Sequence, residues 1–434
     1  MTHLFKLIPI NRSIKHSVNT SIVTVLLGGL LMISSLLPLA AHANASPESA
    51  EPEQTEQAFQ DWVTDFKVRA HREGISQKTL DNAFADVHLN QKVLELDRHQ
   101  PEFTSTFFEY FNRAVSDTRI ENGIQNLKKH HALLQEVTQK YGVPERILVA
   151  FWGMETNYGS YTGNIPIIES LATLSYDPRR TVFFSKQLMN ALQIIQLGHV
   201  SPQQMKGSWA GAMGQCQFMP YNYLRYAVDG DGDGKINLWD SLPDALHSAG
   251  NFLEQLGWQK EQSWGREILL PEGFDYALAD GKTERSLKAW HALGIRQANG
   301  HELATQVEMP ARLLLASDFR GPAFLVYENF KVIKRWNNSD KYALAVGHLA
   351  DQIVGKPPLT KSKPWDDKGM TTAEMQQIQT HLNTLGFAVG KADGIAGSNT
   401  QRGLRDFQLQ QQLPADGHPS IRMLKLLKQA VASQ

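Results

Sequence analysis

Apolar residues recur at helical spacing over much of this chain, and this periodicity constrains the fold more than any other feature of the sequence. Phe59, Trp62 and Phe66 fall on one face of a helix, because residues three, four and seven positions apart lie one above another. The same spacing continues in later segments, at 119–142, 145–156, 179–198 and 241–257. The sequence therefore predicts a large domain built mainly of amphipathic helices.

The segment 263–335 has a different pattern. Its apolar runs are short and are separated by Gly, Pro and polar residues, as in SWGREILLP at 263–271 and VEMPARLLLA at 307–316. The run PAFLVYENFKVIKRW at 322–336 is similar. Such runs are typical of short strands and loops. We therefore predict an α-rich α+β fold in which a small β subdomain accompanies the helices.

Residues 1–43 are predicted to be a secretory signal peptide. Three basic residues and no acidic ones accompany a long apolar run, which ends in a small-x-small site with cleavage expected near Ala43. The alternative is an uncleaved signal anchor, since the apolar run is long. The polar, Pro/Glu-rich residues 44–57 are predicted to form a linker.

Composition narrows the class of protein further. The single cysteine, Cys216, excludes an internal disulfide framework, and no cysteine follows the apolar run to carry an N-terminal lipid anchor. Without its first 43 residues the chain carries a small excess of acidic over basic residues, which argues against nucleic acid as a partner. We expect a soluble exported protein.

A separate C-terminal domain is predicted for 371–434, after a Pro/Lys/Gly-rich linker at 356–370. Thr371 and Glu374 have the spacing of a capping box. Three short helices follow, and a unit of this size is close to the smallest that folds without disulfides or metals. Such a unit indicates a binding module more than an enzyme, the alternative being a generic packing domain.

One carboxylate stands out within the helical stripes. In the sequence VPERILVAFWGMETNYG at 143–159, one helical face holds Leu148, Phe151 or Trp152, and Glu155, so Glu155 is expected to point inward. Burial disfavours the charged form and raises the pKa of a carboxyl group, as a general acid requires. The alternative is a solvent-facing glutamate or one paired with an arginine.

The strongest local motif is the acidic loop DGDGDGKINLWD at 229–240. It matches an EF-hand loop in its carboxylates at positions 1, 3, 5 and 12, its glycine at 6 and its backbone carbonyl at 7. The last position holds Asp in place of the usual bidentate Glu, and hard oxygen ligands favour calcium over zinc. The predicted ligands of a structural calcium ion are Asp229, Asp231, Asp233, Lys235 and Asp240. The alternative is an acidic, Gly-rich turn without an ion.

Small residues are concentrated just before this loop, in GSWAGAMGQCQFMPYNYLRYA at 207–227. Their size lets the backbone approach a ligand or another chain segment closely. Gln217, Tyr221 and Tyr223 add polar and aromatic groups suited to sugars, so Gln217 and Tyr223 are candidate substrate contacts. The alternative is a tight loop that packs against a helix.

Five motifs occur in order along the chain: METNYG, LATLSYDPRR, GSWAGAMGQCQFMP, DGDGDGKINLWD and KRWNNSDKYALAV. Together they resemble the lytic murein transglycosylase B family over residues 58–355. The segment DGIAGSNTQRGLRDFQ at 393–408 is similar to the repeat of the three-helix peptidoglycan-binding domain. The resemblance implies a lysozyme-like catalytic core at 58–355 and a wall-binding domain at 371–434.

The resemblance also implies roles for individual residues. Glu155 occupies the place of the single catalytic glutamate of the family, and the calcium loop also belongs to the family. The substrate contacts implied are Ser208, Gln217, Asn337 and Tyr342. Two features depart from the family pattern: Cys216 stands where a small residue without a thiol is more usual, and the chain lacks a lipidated cysteine.

The reaction implied is cleavage of the MurNAc-β-1,4-GlcNAc bond of peptidoglycan in the periplasm, with a 1,6-anhydroMurNAc product and no organic cofactor. One alternative is a lysozyme-type hydrolase, which needs a second carboxylate or an activated water. The other is a non-enzymatic scaffold that binds glycan strands and recruits cell-wall synthesis or division proteins. The anhydro product distinguishes the transglycosylase from both.

Overall fold

The computed structural model describes residues 55–98 and 105–434, so the predicted signal peptide lies outside the described residues. The first described elements are helices: α1 (Glu56–Arg72), α2 (Gln77–Ala83), α3 (Gln91–Arg98), α4 (Phe107–Ala114), α5 (Asp117–Lys129) and α6 (His131–Tyr141). In α1, Phe59, Val63 and Phe66 are buried on one face, and the Thr55 hydroxyl accepts a hydrogen bond from the Ala58 amide at the helix start. The predicted helical stripe is therefore confirmed.

A second group of helices builds the centre of the domain: α7 (Glu145–Thr156), α8 (Ile167–Tyr176), α9 (Thr181–Gln196), α10 (Pro220–Tyr226) and α11 (Leu242–Gln255). Helix α7 is apolar on nearly all sides, and it packs against α5 and α6. A short antiparallel pair, β1 (Ile165–Pro166) and β2 (Lys206–Gly207), joins the start of α8 to the loop at 208–219, called the Gly-rich loop below. The predicted helix at 241–257 is present as α11, and Ser241 caps it by accepting a hydrogen bond from the Asp244 amide.

The predicted β subdomain is present as a five-stranded antiparallel sheet with the order β4-β6-β7-β3-β5. Its strands are β3 (Gly265–Leu269), β4 (Glu284–Ser286), β5 (Arg296–Gln297), β6 (Pro310–Leu315) and β7 (Ala323–Val326). Together with α12 (Leu287–Ala292), the sheet encloses a core of its own around Trp290, Leu313 and Leu325. The α-rich α+β prediction is thus confirmed.

One part of that prediction was wrong. The run at 322–336 is a strand only as far as Val326, and it continues as helix α13 (Glu328–Trp336), followed by α14 (Asp340–Ile353). Phe330, Ile333 and Trp336 recur every three residues, which is helical spacing, and this face packs into the main core. Helix α14 packs against α7 and α13.

The C-terminal segment folds into three helices, α15 (Thr372–Thr384), α16 (Ser398–Gln410) and α17 (Ile421–Ala432), around a small core of its own. The predicted capping box is present: the Thr371 hydroxyl accepts from the Glu374 amide, and the Glu374 carboxylate accepts from the Thr371 amide. This three-helix unit contacts the β subdomain. The Phe319 amide donates to Asp416 Oδ2 at 2.9 Å, and the Arg405 guanidinium lies 3.5 Å from the Ala279 carbonyl oxygen.

Within residues 55–98 and 105–434, no helix combines the length and the apolar character that a bilayer span requires.

Candidate active site

Glu155 lies in the last turn of α7, above an apolar pocket. Leu148, two turns earlier on the same face, lines the same pocket, so the helical spacing placed Glu155 correctly. The other lining residues are Phe151, Trp152, Cys216, Ala245, Leu246, Ala249 and Trp336. Of the described residues that line this pocket, Glu155 is the only carboxylate.

Two side chains donate hydrogen bonds to the Glu155 carboxyl group. The Tyr342 hydroxyl, in the first turn of α14, donates to Oε1, and the Trp336 side chain donates from the end of α13. Burial in apolar surroundings raises the pKa of Glu155 from 4.5 to about 7, and the two hydrogen bonds oppose this because they favour the carboxylate. Protonated and ionised forms are therefore both populated near neutral pH.

Trp336 is held by an aromatic cluster. Its ring centroid lies 4.5 Å from that of Phe151, 5.1 Å from that of Phe252 and 5.4 Å from that of Phe218. The indole is thus fixed beside the Glu155 carboxyl group. Trp336 was not among the predicted site residues, although its helical spacing from Ile333 and its position before Asn337 were available signals.

Cys216 forms part of the wall of the same pocket. Its thiol donates to the Ala245 carbonyl oxygen at 2.9 Å, and burial raises its pKa well above the usual range. The group therefore stays a neutral thiol and behaves as a small apolar side chain. Cys216 therefore keeps the surroundings of Glu155 apolar, as a small residue without a thiol would at this position.

Ser208 and Gln217 lie in the tight loop between β2 and α10, and both are partly exposed. The Ser208 hydroxyl accepts from the Ala212 amide at 3.0 Å. The Gln217 side-chain nitrogen donates to the carbonyl oxygens of Thr162 and Gly214, each at 3.0 Å. Because these contacts use the side-chain nitrogen of Gln217, the side-chain oxygen Oε1 can accept a hydrogen bond from a sugar.

Asn337 ends helix α13 and is exposed. It directly follows Trp336, just as Gln217 directly follows Cys216, and both preceding residues line the pocket. The structure therefore brings Tyr342 into contact with Glu155 and places Gln217 and Asn337 next to pocket residues in the chain.

Tyr223 does not occupy the position predicted for a substrate contact. It is only 1% exposed, and its hydroxyl donates to the Ile236 carbonyl oxygen in the acidic loop. On α10 the residue at 223 faces the core, whereas Tyr221 faces outward and is 48% exposed. Tyr223 therefore supports the acidic loop from beneath, and the prediction that it contacts substrate is corrected.

The acidic loop brings together a different set of carboxylates from the one predicted. Oxygens of Asp229, Asp231 and Asp244 lie within 4.8 Å of one another. Among the predicted ligands, Asp233 binds the Lys235 amide through Oδ1, and Asp240 accepts from the Asn237 side chain. These two carboxylates lie outside the cluster, which keeps Asp229 and Asp231 of the predicted ligands.

Asp244 was missed because it lies beyond the twelve-residue loop, in the first turn of α11. It is 1% exposed, and its two oxygens accept hydrogen bonds from the amides of Gly230 and Asn237. Asp229 accepts from the amides of Gly234 and Gly232, and these bonds hold its pKa below the usual range. The three converging carboxylates fit the oxygen ligand set that a hard divalent cation prefers.

The chain is similar to known proteins in both sequence and structure. Residues 58–351 match the sequence family described as the transglycosylase SLT domain, and residues 371–427 match a peptidoglycan binding domain. Membrane-bound lytic murein transglycosylase B of Escherichia coli is 32% identical over 302 residues, which cover 65% of this chain and 80% of that protein.

Solved structures show the same relationship. SltB3 from Pseudomonas aeruginosa, crystallised in complex with NAG-anhNAM-pentapeptide, is 43% identical with a TM-score of 0.83, over 85% of this chain and 99% of its own. The Escherichia coli lytic transglycosylase Slt35, crystallised in complex with calcium, is 30% identical with a TM-score of 0.59, over 69% of this chain and 93% of its own.

Proposed function

The chain belongs to the transglycosylase SLT family, and from this premise we propose that Glu155 is the single general acid and base of its reaction. The protein is a peptidoglycan lytic transglycosylase. The observation that carries the role of Glu155 is its pocket, in which one carboxyl group with a pKa of about 7 meets two hydrogen-bond donors.

The reaction uses the two protonation states of Glu155 in turn. Protonated Glu155 gives its proton to the oxygen of the MurNAc-β-1,4-GlcNAc bond as that bond breaks, and the N-acetyl group of the substrate stabilises the positive charge at C1. The carboxylate then takes the proton of the MurNAc C6 hydroxyl, whose oxygen bonds to C1. The product is a 1,6-anhydro ring, and Glu155 ends the cycle protonated.

A pKa near neutrality suits both steps. A general acid works best when its pKa is close to the operating pH, because it is then protonated often enough and still gives up its proton readily. Hydrolysis by the usual route needs a second carboxylate. Among the described residues that line the pocket, Glu155 is the one carboxylate, which supports the single-residue route.

The remaining residues bind and orient. Tyr342 and Trp336 fix the carboxyl group of Glu155, and they stabilise its charge between the two steps. We assign Ser208, Gln217 and Asn337 to the sugar units around the cleaved bond, since all three carry polar groups at or near the surface of this region. The C-terminal domain at 371–434 binds the cell wall, in keeping with its peptidoglycan-binding family.

The acidic loop is assigned to a calcium ion with a structural role. Asp229, Asp231 and Asp244 would hold it, because carboxylate oxygens are the ligands that calcium prefers. The complex of the relative Slt35 with calcium supports this assignment. The ion would fix the loop beneath which Tyr223 lies and takes no part in proton transfer. We further assign the protein to the periplasm, with residues 1–43 as its export signal.

The decisive experiment compares the mature chain from residue 44 with Glu155→Gln on purified sacculi, using mass spectrometry of the released muropeptides. We expect fragments that end in 1,6-anhydroMurNAc from the parent chain and none from the variant, with the variant still folded by circular dichroism. Reducing ends would make the protein a hydrolase. Release of fragments by a folded Glu155→Gln protein would refute the role of Glu155.

A further inference from the structure

The turn that follows Glu155 has a backbone conformation that most side chains avoid. Asn157, Tyr158 and Gly159 have φ values of +49°, +61° and +77°, all in the left-handed region. Glycine enters this region freely, but a bulky residue such as tyrosine is strained there. Strain of this kind persists only where surrounding contacts hold it, and it is concentrated at functional sites.

The contacts that hold Tyr158 come from two helices. Its hydroxyl donates to the Arg119 carbonyl oxygen on α5 at 2.6 Å. Its ring lies against Gly153 of α7, where an added Cβ atom would come 2.6 Å from the ring. Its hydroxyl lies against Gly123 of α5, where an added Cβ atom would come 2.6 Å from the hydroxyl and from the Ile353 side chain. The tyrosine thus fills a slot that exists because both glycines lack a side chain.

The same ring also reaches the wall of the Glu155 pocket. Its centroid lies 5.6 Å from that of Trp152, with the two rings perpendicular. Trp152 lines the pocket, and its indole N–H donates to Gln215 Oε1 at 2.9 Å. Edge-to-face pairs of this kind stabilise both rings in defined positions.

Further hydrogen bonds also hold the last turn of α7. The Thr156 hydroxyl donates to the Gln215 carbonyl oxygen at 3.0 Å. The Tyr158 amide donates to the Trp152 carbonyl oxygen at 3.2 Å, which closes the end of the helix. Glu155 is therefore carried by a turn that is fixed to α5 through Tyr158 and to the Gly-rich loop through Gln215.

We propose that Tyr158 is a positioning residue for Glu155, a wedge between α5 and α7 that holds the last turn of α7 so that the Glu155 carboxyl group stays in its pocket and against Tyr342. It acts through the backbone of that turn and through Trp152. The inference rests on the proposed role of Glu155 and adds to it the element that fixes its geometry.

Removal of the wedge has a consequence with a defined sign. When the turn is free to move, the Glu155 carboxyl group spends time closer to water, and the burial that raises its pKa is reduced. The pKa then falls from about 7 toward 4.5. Because the first step needs the protonated acid, the decline of the rate at high pH moves to lower pH.

The test compares Tyr158→Ala and Tyr158→Phe in the mature chain, with kcat and KM for a soluble glycan fragment measured across the neutral pH range. For Tyr158→Ala we expect kcat to fall by about 100-fold, as for a misplacement of about 1 Å, with KM little changed and the high-pH decline at lower pH. Tyr158→Phe keeps the ring in its slot and should retain most of the activity.

Two further variants separate positioning from loss of stability. Tyr327 is a tyrosine of the core of the β subdomain and is 1% exposed, so Tyr327→Ala should lower the melting temperature without moving the pH profile. As a single change, Gly153→Ala should lower kcat, because the added Cβ atom would clash with the Tyr158 ring. In a Tyr158→Ala background the same change should do no further harm, since alanine favours a helix over glycine.

The outcomes are distinct. If Tyr158→Ala and Gly153→Ala are folded and keep the kcat and pH profile of the parent chain, Tyr158 only stabilises the fold and the proposal is overturned. If Tyr158→Ala does not fold, Gly153→Ala alone decides between the two. Activity in Glu155→Gln would instead refute the proposed function, whatever the Tyr158 variants show.

Discussion

Two effects of opposite sign set the pKa of the Glu155 carboxyl group. Burial raises its pKa, whereas the hydrogen bonds from Tyr342 and Trp336 lower it. In Tyr342→Phe the first of these bonds is lost while the pocket keeps its shape, so the pKa of Glu155 should rise above about 7. The decline of kcat/KM at high pH should then move to higher pH, because the acid stays protonated for longer.

This shift is measured from release of anhydromuropeptides from a soluble glycan across the neutral pH range. Tyr161→Phe is the matched control, since Tyr161 is 69% exposed and its loss of a hydroxyl should leave the profile unchanged. A shift to lower pH in Tyr342→Phe would show that Tyr342 keeps Glu155 in its pocket more than it stabilises the charge.

Single residues differ in how far the sequence could predict them. Helical spacing was enough to predict that Glu155 faces inward, because a helix fixes which residues share a face. Spacing does not say which elements meet, so Trp336, which reaches Glu155 from α13, was missed. Tyr223 was misplaced for a related reason: aromatic character suits both a sugar site and a core, and only the packing of α10 decides between them.

The acidic loop shows the corresponding limit for an element. The motif predicted oxygen ligands within 229–240, but the structure adds Asp244 from the first turn of α11 and leaves Asp233 and Asp240 outside the cluster. A loop motif contains no information about a carboxylate supplied by the helix that follows it. The prediction for 322–336 was wrong for a related reason, since a short strand passes directly into a helix there without a turn signal between them.

The two ligand sets make different predictions for calcium binding. A ligand that binds only the folded state raises the melting temperature, so calcium should stabilise the parent chain. We expect this increase to be lost in Asp244→Asn and retained in Asp240→Asn, measured in each variant as the difference with and without calcium. That difference cancels the stability that Asp244 provides by binding the amides of Gly230 and Asn237. If calcium still stabilised Asp244→Asn but not Asp240→Asn, the ligands would be those of the predicted EF-hand loop.

At the scale of the whole molecule, the wall-binding domain is attached to the catalytic domain by more than its linker. Arg405 of α16 lies against the Ala279 carbonyl oxygen, and it is close to Asp280 and to Asp416 of its own domain. Burial lowers the pKa of Arg405, whereas the charges of Asp280 and Asp416 raise it. The two carboxylates therefore offset part of the free energy lost when the guanidinium group is desolvated. The sequence predicted both domains but could not predict this contact, because it joins residues far apart in the chain.

The contact predicts that the two domains separate when Arg405 is replaced. In Arg405→Ala we expect faster tryptic cleavage in the linker at 356–370, because a linker between separated domains opens to protease more often. Turnover of a short soluble fragment should be unchanged, since Glu155 and its pocket lie within the catalytic domain. Arg402→Ala is the matched control, because Arg402 is exposed on the same helix. Equal cleavage of the two variants would mean that the linker and the remaining contacts hold the domains together without Arg405.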